Sequence, residues 1–444
     1  MNSRRTRRCP LSHHVVHLLS AYCILLGMAL SLRSPRLVAA SGGELPSVES
    51  LVENRRVSRA LAAVDQLASW TTEQQIHLTE IAAPTFQEAA RAAAVRKLFA
   101  ASGLRTRIDG AGNVIGERPG ASRKDVLLIS AHLDTVFPPG MPVKVQRDGR
   151  RLAAPGISDN GAGLAAIVCL GRALHEGKVR TEHTLVFAAN TGEEGEGNLR
   201  GMRKLLETFR GRLRAVVAVD GAATDHITTM ALASRRLEVS LAGPGGHSWA
   251  DFGMPNPLHA LARGLAKFLA TRVPASPRTT YNVGVVEGGT SVNTIADHAL
   301  VKVDMRSESE TELDRLEAAL RKAIEAGVAE EMTAAREAGH PDDARIEIRY
   351  RSLGDRPGGQ LPDGAPLLEA VRQADRYLDN QSRLERSSTD ANIPLSLGIP
   401  AIAVGGGGRS GGAHSPGEWY DPTGREMGVK RLLLTVLAVA GVEP

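Results

Sequence analysis

Short apolar runs alternate with helical stretches over the first half of the chain. The pattern predicts strands at residues 106–115, 125–131, 184–189 and 215–219, with a helix at residues 164–174. Apolar runs of this length, bounded by turn residues, are typical of buried strands. Strands that alternate with helices favour a mostly parallel sheet flanked by helices. The pattern therefore predicts an α/β fold.

The pattern changes after residue 231. Strands are predicted at residues 236–241, 281–287, 297–306 and 344–352, and helices at 257–271 and 310–339. The order strand, helix, strand, strand, helix, strand is typical of a ferredoxin-like α+β sandwich. A helix–strand–helix pattern then returns. We therefore predict a discontinuous catalytic domain, residues 41–231 and 354–444, interrupted by an inserted domain, residues 232–353.

The first forty residues have the pattern of an export signal. Arginines come first, residues 15–32 carry no formal charge, and Val38, Ala39 and Ala40 form a small-residue cleavage site. We expect a signal peptide over residues 1–40, cleaved near Ala40, and export to the periplasm or the exterior. The alternative is an uncleaved membrane anchor, because the apolar run is long. Only in that case is membrane attachment expected.

The basic isoelectric point, near 9.2, has a local origin. Six of the 54 Lys and Arg residues lie in residues 1–40, which contain no acidic residue. The remaining chain carries 48 basic and 49 acidic groups, a net charge of about −1. This balance excludes a nucleic acid as the expected partner.

Acidic and histidine residues follow the predicted strands, beginning with the segment LLISAHLDTVF. Its apolar run ends at His132 and Asp134, whose side chains lie on the same strand face because they are two residues apart. His132 can then face a metal while Asp134 lies beside it, able to contact the other ring nitrogen. The remaining candidates at strand ends or in the following loops are Asp159, Glu193, Glu194, Asp220 and His414.

In an open α/β sheet, ligands bind at the carboxyl edge where these residues fall. Two histidines with three or four carboxylates suit a pair of borderline cations such as zinc. One carboxylate can bridge the cations, and another can act as a general base on a water molecule. The strand ends therefore predict a candidate site with two metals.

Each acidic residue also has an ordinary structural explanation. Asp159 precedes a helix and could cap it, Glu193 and Glu194 could be solvated, and Asp220 could be a turn residue. Taken singly, each of these explanations is favoured. The common position of all these residues at strand ends instead favours one shared site.

Five segments together resemble the metal-binding motifs of the co-catalytic zinc exopeptidase family: HLDTV, GISDNGAG, NTGEEGEG, VDGA and AHSPGEW. That family includes glutamate carboxypeptidase, peptidase T, aminoacylase and succinyl-diaminopimelate desuccinylase, and the resemblance covers about residues 70–440. It implies two Zn²⁺ ions per chain, with Co²⁺ or Mn²⁺ as substitutes. It also implies that the inserted domain is a lid that often dimerises, so a homodimer through this domain is expected.

The resemblance implies a role for each residue of the metal group. Asp159 bridges the metals, His132 and Asp220 complete one site, Glu194 and His414 complete the other, Glu193 is the general base, and Asp134 orients His132. The resemblance also implies a cis peptide bond after Asp159. These roles predict a bridged cation pair with a base beside it.

The inserted domain supplies a second set of residues by resemblance. His247, in GGHSW, is similar to a lid histidine that polarises the scissile carbonyl, often across a dimer. Asn293 and Arg306 resemble residues that hold substrate carbonyl or carboxylate groups, and Arg356 is a weaker match of the same kind. A guanidinium group is well shaped for carboxylate recognition. The alternatives are a surface arginine for Arg306 and a loop cap for His247.

These observations favour an exported di-zinc hydrolase that cleaves peptide bonds of small peptides, using metal-activated water and Glu193. Amino- or tripeptidase-like and carboxypeptidase-like specificities stay open, because one scaffold serves them all. An N-acyl amino acid deacylase on the same scaffold is the alternative. A non-catalytic binding protein is the alternative of another class, and loss of Glu193 or a ligand would favour it. None of these residues is missing.

Overall fold

The computed structural model of this protein describes residues 45–340 and 344–443. The predicted signal peptide, residues 1–40, lies outside the described residues, so both export and membrane attachment stay predictions. Within the described part of the chain, no helix combines the length and apolar character needed to cross a membrane.

The helices are distributed along the whole described chain. They are α1 (Val48–Glu53), α2 (Arg55–Gln66), α3 (Ala68–Thr79), α4 (Ala89–Ala101), α5 (Gly161–Glu176), α6 (Arg200–Thr208), α7 (Pro257–Leu269), α8 (Glu310–Glu337), α9 (Pro366–Tyr377), α10 (Asn392–Ser396) and α11 (Arg425–Ala440). Asn160 caps the buried helix α5 by accepting a hydrogen bond from the N–H of Gly163.

The strands form a large sheet and three smaller ones. They are β1 (Arg105–Ile108), β2 (Val114–Arg118), β3 (Ser122–His132), β4 (Gln146–Asp148), β5 (Arg151–Ala153), β6 (His183–Asn190), β7 (Leu213–Val219), β8 (His226–Ala231), β9 (Ala233–Ala242), β10 (Gly246–His247), β11 (Thr279–Gly288), β12 (Thr294–Ile295), β13 (His298–Ser307), β14 (Glu347–Arg356), β15 (Gly359–Gln360), β16 (Arg383–Ser387), β17 (Ala401–Val404), β18 (Arg409–Gly411) and β19 (Trp419–Asp421).

The large sheet has the strand order β1-β2-β6-β3-β7-β17-β8-β15, and β16 also pairs with β8. Its central strands β6, β3, β7 and β17 are parallel, with antiparallel pairs on both sides. The central strands are nearly continuous apolar runs because both sheet faces are covered, as by the buried helix α5. The predicted α/β fold class is confirmed. Because the four central strands are parallel, the carboxyl ends of β3, β6, β7 and β17 lie at one edge of the sheet.

A second sheet, with the order β11-β13-β9-β14, lies between residues 233 and 356 and packs against α7 and α8. Strand β13 alternates buried residues such as Val301 and Val303 with less buried Lys302, Asp304 and Arg306. One face therefore packs on the helices and the other is polar. The order of elements is the predicted one, whereas the role of this segment as an inserted lid or dimerisation domain stays a prediction.

The prediction of a single strand at residues 106–115 is wrong. Strands β1 and β2 instead form an antiparallel hairpin. At its turn, Asp109 Oδ1 accepts hydrogen bonds from the N–H groups of Ala111 and Asn113. An aspartate that bonds the backbone two residues later favours a turn, which explains the break.

A buried ion pair connects α9 to α11. Arg431 donates to Asp375 through two nitrogens, with Nε–Oδ1 at 2.6 Å and Nη2–Oδ2 at 2.9 Å. We predict that Asp375→Ala lowers the free energy of unfolding by about 3–5 kcal/mol, because it leaves a buried guanidinium without its carboxylate. Denaturant unfolding followed by circular dichroism measures this change.

The matched control is Glu369→Ala, which removes the exposed ion pair with Arg376 on the same helix. Its expected cost is below about 1 kcal/mol, since solvent screens exposed pairs. Equal losses in the two variants would contradict the prediction.

Candidate active site

His132 lies at the end of β3 and is almost fully buried. Its Nδ1 donates a hydrogen bond to the main-chain oxygen of Asp134 at 3.0 Å. Its Nε2 lies 3.1 Å from Asp159 Oδ1 and 3.7 Å from Asp220 Oδ1. A ring nitrogen fixed by a carbonyl leaves the other nitrogen available as a metal ligand. The structure therefore brings together three residues predicted to share one metal.

Asp134 holds the neighbouring loop through its carboxylate. The two carboxylate oxygens accept hydrogen bonds from the N–H groups of Glu193 and Glu194, each at 3.0 Å, and from the Thr85 hydroxyl at 2.9 Å. The carboxylate lies 3.7 Å from His132 Nδ1, so the predicted orienting contact comes from the main chain of Asp134 instead. Asp134 thus positions both glutamates.

A second group contains Asp159, Glu194 and His414. His414 Nε2 lies 3.0 Å from Asp159 Oδ2 and 3.1 Å from Glu194 Oε1. In each of the two groups, the candidate ligand atoms all lie within 4.8 Å of one another. Asp159 belongs to both groups, with one oxygen directed to each histidine. This is the arrangement expected of a carboxylate that bridges two cations.

Glu418 is a fully buried residue that holds the loop before Asp159. Its oxygens accept hydrogen bonds from the N–H groups of Gly156, Ser158 and Asp159 at 2.7–2.8 Å. The Ser158 hydroxyl adds one more, at 2.7 Å. Sequence reasoning missed Glu418, although it stands in the quoted segment AHSPGEW.

Asn160 connects the same loop to the end of β7. Its Oδ1 accepts a hydrogen bond from the N–H of Gly221 at 3.1 Å, and its Nδ2 donates to Val219 at 2.8 Å. The peptide bond between Asp159 and Asn160 is cis, as the resemblance implied. Asn160 therefore holds Asp159 beside Asp220, and its position in SDNGAG was the overlooked signal.

Glu193, the predicted general base, is buried beside Arg356. Arg356 Nη1 lies 3.0 Å from Glu193 Oε1, and Nη2 donates to the main-chain oxygen of Glu193. Burial raises the pKa of Glu193 well above its usual range, and the Arg356 cation offsets only part of this effect. The observed partner of Arg356 is thus Glu193, and the substrate contact of Arg356 stays a prediction.

The two histidines are surrounded by carboxylates. Contacts with Asp159 and Glu194 raise the pKa of His414 to about 10. Burial lowers the pKa of His132, but the nearby carboxylates of Asp134, Asp159 and Asp220 outweigh burial and raise it well above its usual range. Because a metal ligand must be deprotonated, bound cations would displace protons from these rings.

A cavity of about 280 Å³ opens over the candidate ligands. Arg236, Arg306 and Arg356 line it together with members of both metal groups, namely Asp159, Asp220, Glu194 and His414. Asp304 forms ion pairs with two of these arginines. Its Oδ1 lies 3.0 Å from Arg236 Nε, and its Oδ2 lies 2.8 Å from Arg306 Nε. Sequence reasoning found Arg306 but missed Arg236, because the polar alternation of β9 and β13 does not reveal which positions face the cavity.

His247 and Asn293 do not line this cavity in the described chain. Both are exposed, on or beside the short pair β10–β12. His247 Nδ1 accepts hydrogen bonds from the N–H groups of Trp249 at 3.1 Å and Ala250 at 3.3 Å. The imidazole therefore caps a loop here, and its predicted catalytic role stays a prediction.

The α/β sheet and the paired His–carboxylate groups at its edge define a metal-dependent hydrolase. The chain belongs to peptidase family M20/M25/M40, whose family model matches residues 128–438. This membership confirms the resemblance to zinc exopeptidases.

Individual proteins are similar over most of the chain. The uncharacterized protein YqjE of Bacillus subtilis is 25% identical, over 75% of this chain and 89% of its own. A Mycobacterium tuberculosis protein named provisionally as the succinyl-diaminopimelate desuccinylase DapE is 26% identical, over 67% and 78%. The crystal structure of aminopeptidase PepT from Bacillus cereus matches with a TM-score of 0.64 and 22% identity, over 84% of this chain and 99% of PepT.

Glu418 generates the prediction for this site. We predict that Glu418→Ala lowers zinc affinity about 10–100-fold, because the loop that carries Asp159 loses its common acceptor. Competition against a chelating dye measures the affinity, and circular dichroism verifies the fold. The control is Glu369→Ala, on the exposed side of α9. Unchanged zinc affinity in Glu418→Ala would show that the loop holds its position without this carboxylate.

Proposed function

We propose that the protein is a di-zinc exopeptidase that hydrolyses small peptides. The observation that carries the proposal is the position of Asp159, shared by two His–carboxylate groups beside a buried glutamate. His132, Asp159 and Asp220 would hold one zinc ion. Asp159, Glu194 and His414 would hold the other. Co²⁺ and Mn²⁺ are the expected substitutes, since imidazole and carboxylate ligands suit them too.

The chemistry of the ligand atoms fits zinc. Imidazole nitrogens and carboxylate oxygens are common zinc ligands. Asp159 Oδ1 is buried, and although His132 Nε2 lies 3.1 Å away, it makes no hydrogen bond of good geometry within the described part of the chain. A buried anionic oxygen without such a partner is costly unless a cation satisfies it. This oxygen is therefore suited to metal coordination.

Bound zinc would supply Lewis acidity, which polarises a carbonyl group and lowers the pKa of water. Glu193 then takes a proton from the attacking water and returns it to the leaving amine. Burial supports this exchange by raising the pKa of Glu193 above its usual range, so that the carboxylate holds a proton more readily. Arg356 stabilises the Glu193 anion and fixes its position. Arg306, which lines the same cavity, would bind a substrate carboxylate.

An N-acyl amino acid deacylase is the second candidate function. The similarity to a protein named as a desuccinylase favours it, whereas the similarity to aminopeptidase PepT favours peptides. Both reactions hydrolyse an amide bond, so the same metal ligands and base serve either one. Profiling the purified protein against a library of small peptides and N-acyl amino acids separates the two.

We further propose export directed by residues 1–40 and a homodimer formed through residues 232–353. The arginines and apolar run near the N-terminus support export. Exposed Trp249, Phe252 and Val292 support the dimer, since large apolar side chains near His247 favour burial against a partner. A partner chain would then supply His247 to the cavity.

The first test of the mechanism is Glu193→Gln. We expect this variant to keep two zinc ions per chain but to lose about 10²–10⁴-fold in turnover, because an amide cannot accept the proton. Elemental analysis and steady-state kinetics measure the two properties. His132→Ala is the contrasting variant and should lose metal and activity together. Near-normal turnover in Glu193→Gln would assign the base to another group.

The dimer proposal predicts complementation between two inactive variants. His247→Ala chains and Glu193→Gln chains are mixed after dissociation, so that a heterodimer has one site with both native residues. Recovered activity is expected if His247 acts across the dimer. Each variant reassociated alone is the control. A verified heterodimer that stayed inactive would exclude the shared site.

A further inference from the structure

A second cavity, of about 330 Å³, adjoins the candidate active site. It is lined by Leu232, Arg278, Thr280, Arg306, Glu308 and Arg386. Arg306 also lines the cavity that contains the metal groups, so the two cavities meet at this side chain. A substrate bound at the metal groups could therefore extend past Arg306 into the second cavity.

Two sheets build this second cavity. Thr280 on β11 lies opposite Arg306 on β13, and Arg278 precedes β11. The carbonyl of Arg278 accepts a hydrogen bond from the N–H of Glu308 at 3.1 Å, which continues the pairing of these segments. Arg386 comes from the large sheet, on β16. The cavity therefore lies where the polar face of the second sheet meets the large sheet.

Positive charge exceeds negative charge among the lining residues. Glu308 uses both oxygens, one 3.4 Å from Arg386 Nε and the other accepting from the main-chain N–H of Arg278 at 2.9 Å. Arg306 Nε forms an ion pair with Asp304, which also forms an ion pair with Arg236. The guanidinium of Arg278 has no hydrogen bond or ion pair to any residue within 45–340 and 344–443. The cavity is therefore lined by three guanidinium groups and one carboxylate, and both oxygens of that carboxylate already contact protein groups.

We propose that this second cavity binds a carboxylate of the substrate, and that the protein prefers substrates with an acidic side chain near the scissile bond. Guanidinium groups match carboxylates in shape and form charge-assisted hydrogen bonds with them. Peptides and N-acyl amino acids carry their negative charge on carboxylates. This inference rests on the proposed function and adds the class of substrate.

Matched substrates test the inference. Each peptide or N-acyl amino acid that is hydrolysed is compared in a Glu form and a Gln form, which have the same shape but differ in charge. We expect the wild-type kcat/KM to be at least about tenfold higher for the Glu form. In Arg278→Gln and Arg386→Gln the Glu-to-Gln ratio should fall about tenfold, mainly through KM.

The matched control is Arg349→Gln, an exposed arginine on β14, opposite Ser240 and away from both cavities. It should keep the wild-type ratio. A wild-type enzyme without a preference for the Glu form would overturn the inference. An equal ratio in Arg278→Gln and Arg349→Gln would overturn it as well.

A binding measurement separates this inference from the proposed function. If no member of the library is hydrolysed, the proposed function fails. Calorimetric titration with glutarate then tests whether the second cavity binds a carboxylate. Glutarate binding to the wild-type protein that is lost in Arg278→Gln, and kept in Arg349→Gln, supports the carboxylate site. No binding, or equal binding to all three proteins, overturns it.

Discussion

The convergence of carboxylates at one sheet edge is the constraint on which the rest of the site depends. Buried Glu193 and Glu194 are brought together with half-buried Asp159, and like charges in such a place repel strongly. The structure opposes this repulsion with the two histidines and with Arg356. Burial favours the neutral acid, yet His132 and His414 outweigh burial at Asp159 and lower its pKa. At Glu193, burial prevails and the pKa is raised. One cluster thus contains an acid suited to cations and an acid suited to proton transfer.

Buried acceptors hold these repelling groups in place. Asp134 binds the backbone of the loop that carries the two glutamates, and Glu418 binds the backbone before Asp159. Each carboxylate is committed to several N–H groups, which stabilises its charge without a cation. The site therefore separates carboxylates that position the backbone from carboxylates that remain available as ligands. A sequence comparison by residue type alone does not distinguish the two kinds.

Strand ends were predictable from sequence because the apolar runs stop at the carboxyl edge of the sheet, where polar residues such as His132 and Asp220 follow. Strands β8 and β16 were not predicted, since polar residues such as Thr228, Thr229 and Glu385 interrupt any apolar run. The contact between Arg356 and Glu193 joins positions 163 residues apart, so no local pattern could reveal it. The local sequence pattern therefore locates the candidate metal ligands, whereas the contacts that hold their side chains depend on tertiary packing.

Strand β14 links the second sheet to the candidate active site. The candidate metal ligands come from the edge of the large sheet, whereas Arg236 and Arg306 come from the polar face of the second sheet. Arg356 is the last residue of β14 in that second sheet, yet its guanidinium contacts Glu193, the predicted base. Because a charge-assisted bond between buried groups depends steeply on geometry, a displacement of β14 would change both the position and the proton affinity of Glu193. The second sheet therefore contacts Glu193, the predicted base, directly through one side chain.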